Sequence, residues 1–391
     1  MRLAANLPRL LGTIVCGLAF EAFSSTRARS EASTPQNDAR PTFRHPEDGW
    51  FDVSGFLDHS YGFVPIAAPI TEPAVGLGAA GALVFIDKQK GGSRRTNTPP
   101  NITAVGGLAT EDGSDGLFGF DSRHWLDDRL QTILVLGSLN IHLDYYGLGE
   151  SSPLRNRPLP YELDPFGGKA QVRYRLGSSG AKIGLAYSLA ETRIDFDTEG
   201  TAGLPPAEGN SRLGGLTPAF TYDSRNNIFT PTRGIYTEAR LGIYSEFLGS
   251  DAEYQMADLV LIGYTPLHPR VFAGIRGLGS LSSEATPFYL RPFVYMRGLA
   301  ALVYQGEQIA QIEAEVRYQF WKRFSVVGFS GVGQAWSASE GETSGEPVTT
   351  LGTGCRYEIA RDYGLHLGFD VAWGPDEFAF YVQFGSAWLE L

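Results

Sequence analysis

Residues 312–320 read Ile-Glu-Ala-Glu-Val-Arg-Tyr-Gln-Phe. In an extended chain successive side chains point to opposite sides. Ile312, Ala314, Val316, Tyr318 and Phe320 therefore share one face, and Glu313, Glu315, Arg317 and Gln319 the other. One face suits lipid and the other a wet interior. The same period recurs in both directions along the chain. Leu365, Leu367, Phe369, Val371 and Trp373 alternate with His366, Gly368, Asp370 and Ala372. Phe378, Phe380, Val382 and Phe384 alternate with Ala379, Tyr381, Gln383 and Gly385, and Ile235, Thr237, Ala239, Leu241 and Ile243 with Tyr236, Glu238, Arg240 and Gly242.

A soluble β-sandwich also alternates, since its outer faces are polar. Three features favour a membrane barrel instead. Aromatic residues gather near the ends of the apolar faces, strand candidates fill nearly all of 74–391 without a helical block, and the chain closes on an amphipathic, aromatic-rich strand candidate. The prediction is an all-β fold, a transmembrane antiparallel β-barrel. Strand candidates from Ala74–Ile86 to Phe378–Trp388 number about 15, and a single-chain bacterial barrel takes an even number, so about 16 are expected. Both termini then lie on the periplasmic side.

Composition agrees. Mean hydropathy is slightly negative, as expected where only alternate residues meet lipid. The 48 glycines, 24 phenylalanines and 18 tyrosines suit tight turns and aromatic girdles. A net charge of −11 leaves no basic stripe for nucleic acid. The two cysteines, Cys16 and Cys355, form no CxxC or zinc-type cluster, so no metal and no cofactor is expected.

Arg2 and Arg9 precede an apolar run, Leu10 to Phe20, followed by small residues. This reads as a signal peptide over 1–30, the alternative being a buried N-terminal helix. The run is too short to span a bilayer as a helix. Residues 31–73 are expected to form a periplasmic N-terminal segment, and 74–391 the barrel.

Three segments resemble the barrel domain of the BamA/TamA-type superfamily, the bacterial surface-antigen family. Tyr222-Asp223-Ser224-Arg225-Asn226-Asn227 with Pro231-Thr232-Arg233-Gly234 is similar to that family's inter-strand motif, here Asp223, Arg225, Pro231 and Gly234. Met296-Arg297-Gly298-Leu299 is similar to its Val-Arg-Gly-Phe/Tyr motif. The run of strand candidates that follows has the family's spacing. Asp48 to Asp52 (DGWFD), Gly62 to Pro65 and Thr71 to Gly76 resemble the lead-in of its barrel-only members, which lack POTRA domains. The resemblance implies that Met296–Leu299 tips a long extracellular loop folded back into the lumen. In the family an Asp pairs with the loop arginine; here Gly331 stands in its place. Arg297 is then expected to take Glu313, Glu315 or Asp370 inside an acidic lumen. Trp388 is expected to serve as the terminal aromatic of the C-terminal strand.

The expected function is that of a non-enzymatic outer-membrane barrel, a pore or translocator for lipid, polypeptide or small solute. The alternative is an outer-membrane barrel enzyme such as a lipid hydrolase. His142 and Asp144 could share a strand face, but no nucleophile motif accompanies them, and lumen polarity is the plainer reading. No catalytic residue is assigned. Expected partners are outer-membrane lipid, the barrel-assembly machinery during insertion and an unknown periplasmic partner.

Overall fold

A computed structural model describes residues 43–59, 62–87, 101–147, 152, 154–196, 209–337, 345–375 and 378–389. The expected signal peptide lies outside the described residues. A short helix, α1 (Ser54–His59), precedes a single 16-stranded sheet. Its first half is β1 (Gly62–Ile70), β2 (Gly78–Asp87), β3 (Asn101–Thr110), β4 (Asp115–Trp125), β5 (Leu130–Tyr145), β6 (Leu159–Arg175), β7 (Ala181–Phe196) and β8 (Gly209–Asp223). The second half is β9 (Gly234–Tyr244), β10 (Tyr254–His268), β11 (Val271–Ser282), β12 (Gln308–Trp321), β13 (Phe324–Trp336), β14 (Val348–Ala360), β15 (Leu365–Trp373) and β16 (Phe378–Phe384). Each strand pairs antiparallel with its sequence neighbour, in strict up-and-down order. This is a nearly closed antiparallel barrel. Among the described residues no ladder joins β1 to β16, so a seam separates the two edges.

The alternation sorts as the sequence requires. On β12, Ile312, Val316, Tyr318 and Phe320 are exposed, while Gln311, Glu313 and Arg317 are buried. Exposed Phe369 and Trp373 oppose buried Asp370 and Ala372 on β15. Apolar side chains on the outside of a barrel are stable only against lipid or another apolar partner. The interior is not uniformly wet, however. Val84, Ile102, Leu163 and Leu213 are almost fully buried and join residues of the 283–307 loop in one apolar cluster.

The sheet begins one strand before the expected boundary at residue 74. β1 falls within the segment expected to be periplasmic. Its sequence, GFVPIAAPI, contains two prolines, which argue against a strand because proline cannot donate to a ladder. The structure resolves this by placing β1 at an edge. Its register to β2 is unbroken from Gly62↔Ile86 to Ile70↔Gly78. Pro65 and Pro69 are four residues apart in that strand and so lack their N–H groups on the same side, the free one.

β5, β6 and β7 have 16, 17 and 16 residues, well beyond the roughly 9–11 needed to cross a bilayer. Leu134 and Leu136 are exposed on the outer face of β5. Two-residue spacing puts Asn140, His142 and Asp144 on that same outer face, whereas Ile141 and Leu143 are buried inward. His142 and Asp144 are therefore not lumen residues. They belong to a polar outer rim that includes Asp164, which Arg193 approaches at 2.7 Å.

Candidate functional site

The longest described connection, 283–307, joins β11 to β12, and its tip turns inward. Val294 and Met296 lie over β13, where most inward side chains would collide with them. A Cβ on Gly331 would stand 2.7 Å from Met296 Sδ and 2.8 Å from Glu313 Cγ; one on Gly333 would meet Val294 Cγ1 at 2.4 Å. The absence of a side chain at Gly331 thus makes room for the loop tip. An Asp at that position would occupy the volume that Met296 fills.

Arg297 is 7% exposed. Its Nη1 donates to Asp370 Oδ2 on β15 at 2.8 Å. Glu315 Oε2 on β12 is also 2.8 Å from Nη1, and Glu313 Oε1 is 3.9 Å from Nε. The guanidinium carbon lies 3.5 Å from the centre of the Phe329 ring on β13. The side chain is thus held from three strands by charge and by the face of an aromatic ring. Gly298 follows with φ +95°, a conformation open to glycine and strained for other residues. Its N–H donates to Tyr381 Oη on β16 at 2.9 Å. A Cβ there would also press on the backbone of Trp373 and Gly374 at 3.1–3.2 Å. Leu299 is buried with Val294, Met296 and Tyr304 against Val260, Ile262 and Ile309.

Sequence reasoning missed the cations that share these carboxylates. Arg356 on β14 grips Asp370 through both terminal nitrogens, with Nη2 to Oδ2 at 2.9 Å. Arg276 on β11 donates to Glu313 Oε2 at 3.0 Å. Arg317 on β12 lies 3.0 Å from His366 Nε2. The surroundings of Arg297 are therefore not acidic: Glu313, Glu315 and Asp370 are matched by Arg276, Arg297 and Arg356, with Arg317 beside them. Strand parity puts each arginine on an inward face, so the signal was present; Arg276 stands directly opposite Glu313 and Arg356 diagonally from Asp370 on a neighbouring strand, and parity leaves that register open.

Trp388 departs from expectation. The period-2 pattern of β16 continues in the sequence to residue 388, but the strand ends at Phe384 and Gly385 turns the chain at φ +80°. Trp388 is buried, packs against Tyr264 and donates its Nε1–H to Glu313 Oε2 at 3.1 Å. An indole N–H buried this way needs an acceptor, and Glu313 supplies one. Trp388 is thus an interior residue beyond the last strand.

The segment between β8 and β9 is a compact turn. Arg225 lies across Asp223 in a two-pronged pair at 3.0 and 2.8 Å and above the Tyr236 ring at 4.6 Å. Asn227 Oδ1 accepts from Phe229 N and Thr230 N, and its Nδ2 donates to Tyr363 O in the β14–β15 turn at 2.7 Å. Pro231 is buried. Gly234 opens β9 at φ +107°, and a Cβ there would stand 2.4 Å from Ser224 O. Asp223, Arg225, Pro231 and Gly234 shape the turn from which Asn227 reaches the β14–β15 turn, and the Tyr236 ring under Arg225 belongs to the same apolar cluster as Met296 and Leu299.

The chain matches the Omp85 superfamily domain over residues 105–388. No curated protein matches it. Among solved structures it is similar to BamA from Haemophilus ducreyi lacking POTRA domains 1-3, with a TM-score of 0.59 at 12% identity, covering 83% of this chain and 69% of that one. CdiB from Escherichia coli gives 0.57 at 10%, covering 82% and 61%. CdiB from Acinetobacter baumannii gives 0.53 at 11%, covering 82% and 58%. The chain spans less than two thirds of either CdiB chain. At such identities the likeness carries the fold alone. With the family match extending over most of the barrel, the chain belongs to the Omp85 superfamily.

Proposed function

We propose that this barrel resides in the bacterial outer membrane and works as a non-enzymatic translocator. Its interior is stoppered by the 283–307 loop, and its cargo, lipid or polypeptide, passes when the loop and the seam yield. The observation that carries this reading is the seating of the loop: Arg297 is held from β12, β13 and β15, and Leu290, Val294 and Leu299 are buried with inward strand residues. Such a packed interior suits a gated path better than a standing aqueous pore. That no ladder joins β1 to β16 among the described residues supports the seam as the part that yields, since edge strands keep unpaired backbone groups. Nothing in the geometry favours the lipid-hydrolase alternative: His142 and Asp144 lie on the outer rim, away from the interior. Outer-membrane lipid and the machinery that inserts barrels are the partners this reading requires.

Planar-bilayer recording of the purified wild-type protein tests it. The expected trace is a closed baseline with rare, brief openings. A large, steady conductance without any trigger would show a standing pore and overturn the stoppered reading.

A further inference from the structure

The DGWFD stretch plays no part in the clamp, yet it is held closely against the barrel. Arg323, in the β12–β13 turn, is only 2% exposed. Its Nε and Nη2 grip both oxygens of Asp48 at 2.7 and 2.8 Å, and its Nη1 reaches Asp52 Oδ2 at 2.7 Å. Val53 N donates to Ile359 O, and Asp52 Oδ2 accepts from Arg361 N in the β14–β15 turn. The segment thus starts on the far side of the seam, under β12–β15, and then feeds β1 on the near side.

Its other side is aromatic. Trp50 meets Trp321 and Phe324 edge-on at 5.1 and 5.8 Å. Register places those two rings on the outer face: Trp321 opposes Phe324, and Phe324 opposes Tyr357 and has the parity of exposed Val326. Tyr357 Oη donates to Phe51 O at 2.7 Å. Phe43 stacks with both Phe51 and Phe56, and the three are 50%, 52% and 36% exposed. Lys322 lies over the Trp50 and Trp321 rings at 5.1 and 5.5 Å, and Arg361 is 42% exposed beside Glu47 and Asp48.

We propose that residues 43–56 form an amphipathic strap beneath β12–β15, whose aromatic side seats in the phospholipid interface of the periplasmic leaflet. Two observations fix that occupant. The aromatic ledge is continuous with the exposed apolar face of β12, through Trp321, Phe320 and Tyr318. It also mixes tryptophan, phenylalanine and lysine, the composition that favours the boundary between headgroups and acyl chains. The strap goes beyond the loop clamp: it would tie the chain ahead of β1 to the membrane boundary whatever the cargo.

The test uses the full chain with Cys16 and Cys355 replaced by serine, reconstituted in phosphatidylglycerol–phosphatidylcholine vesicles. Single nitroxide labels are placed at Phe51→Cys, at Glu47→Cys and, as a lipid-facing reference, at Val316→Cys. Collisions with oxygen, which concentrates in the bilayer, are compared with those of a water-soluble nickel complex. The label at 51 should follow that at 316, favouring oxygen, while the label at 47 favours nickel. A label at 51 as open to nickel as that at 47 would place the ledge in water and overturn the proposal. Heat-modifiable gel mobility of each labelled variant establishes that the barrel is intact, and Phe43→Cys supplies a second position if Phe51→Cys does not fold.

Discussion

Replacing Arg297 by alanine removes three contacts at once: the hydrogen bond to Asp370 at 2.8 Å, the ionic contact with Glu315 at 2.8 Å and the stack on Phe329. Breaking one side of a buried pair costs about 3–5 kcal/mol when the remaining charge is stranded. Here Asp370 keeps Arg356, and Glu315 is 17% exposed and so partly hydrated. The cost of leaving the loop docked is therefore lower, about 2–3 kcal/mol. At tenfold per 1.4 kcal/mol, that shifts the docked-to-released ratio about 30- to 150-fold. Arg297→Lys, which keeps the charge but loses the planar fork and the stack, should fall between wild type and alanine. The assay is single-channel recording joined to protease cleavage within 283–307 in vesicles, on protein whose heat-shifted band shows an intact barrel. Arg297→Ala should open more often and be cut faster. Wild-type conductance together with wild-type cleavage would refute the clamp, because a loop held elsewhere would not register the loss.

Four further outcomes follow from the same contacts. Gly331→Ala should cost about 1–3 kcal/mol by overpacking, since its Cβ must displace Met296 or Glu313; a lowered unfolding temperature of the heat-modifiable band checks this. Gly298→Ala should loosen the loop tip by a similar amount, about 1–3 kcal/mol of backbone strain at φ > 0, read as faster loop proteolysis. Asn227→Ala should destabilise by about 1–2 kcal/mol through loss of the one acceptor that serves two N–H groups and of the bond to Tyr363 O, seen as a lowered denaturant midpoint. The bond from Arg323 holds the Asp48 carboxyl at about 2, below the ordinary carboxylate range. Its contribution to strap docking is therefore fully present above the ordinary value of about 4 and is lost only as pH falls through about 2. An acid-active protease should leave the strap intact at pH 5 and cut it as pH approaches 2.

How much of this could be read in advance varied with the range of the cause. Parity is local, so the lipid and interior faces of β9, β12, β15 and β16 follow from single strands read alone. That Glu313, Glu315 and Asp370 point inward is the same kind of fact. Which of them meets Arg297 is not, because β12 and β15 are three strands apart and Arg297 reaches both from a loop folded into the interior. The pairing of Arg276 with Glu313 and of Arg356 with Asp370 needed only the register between neighbouring strands, which parity also leaves open. Local pattern misled where one residue ended it: Gly385 stops a period that the sequence continues to Trp388. β1 was hidden by an edge effect, since prolines that would break an inner strand are harmless where the missing N–H groups face no neighbour. Gly331 reads as a lost partner for Arg297 until Met296 is seen filling its place.

The seam gives these separate features a common logic. A barrel whose end strands share no ladder must be held by something other than backbone hydrogen bonds. On the inside, the 283–307 loop touches both edges: Gly298 N donates to Tyr381 on β16, and Ala301 N donates to Glu72 in the β1–β2 connection at 3.3 Å. At the foot, residues 48–53 bind the β12–β13 and β14–β15 turns before the chain enters β1. Both crossings rest on side chains and short polar contacts, which can be released singly without unfolding a strand. A continuous ladder has no such property, because its bonds break cooperatively. On the function proposed above, two small attachments would leave the rest of the sheet rigid while concentrating the capacity to open where β1 and β16 adjoin.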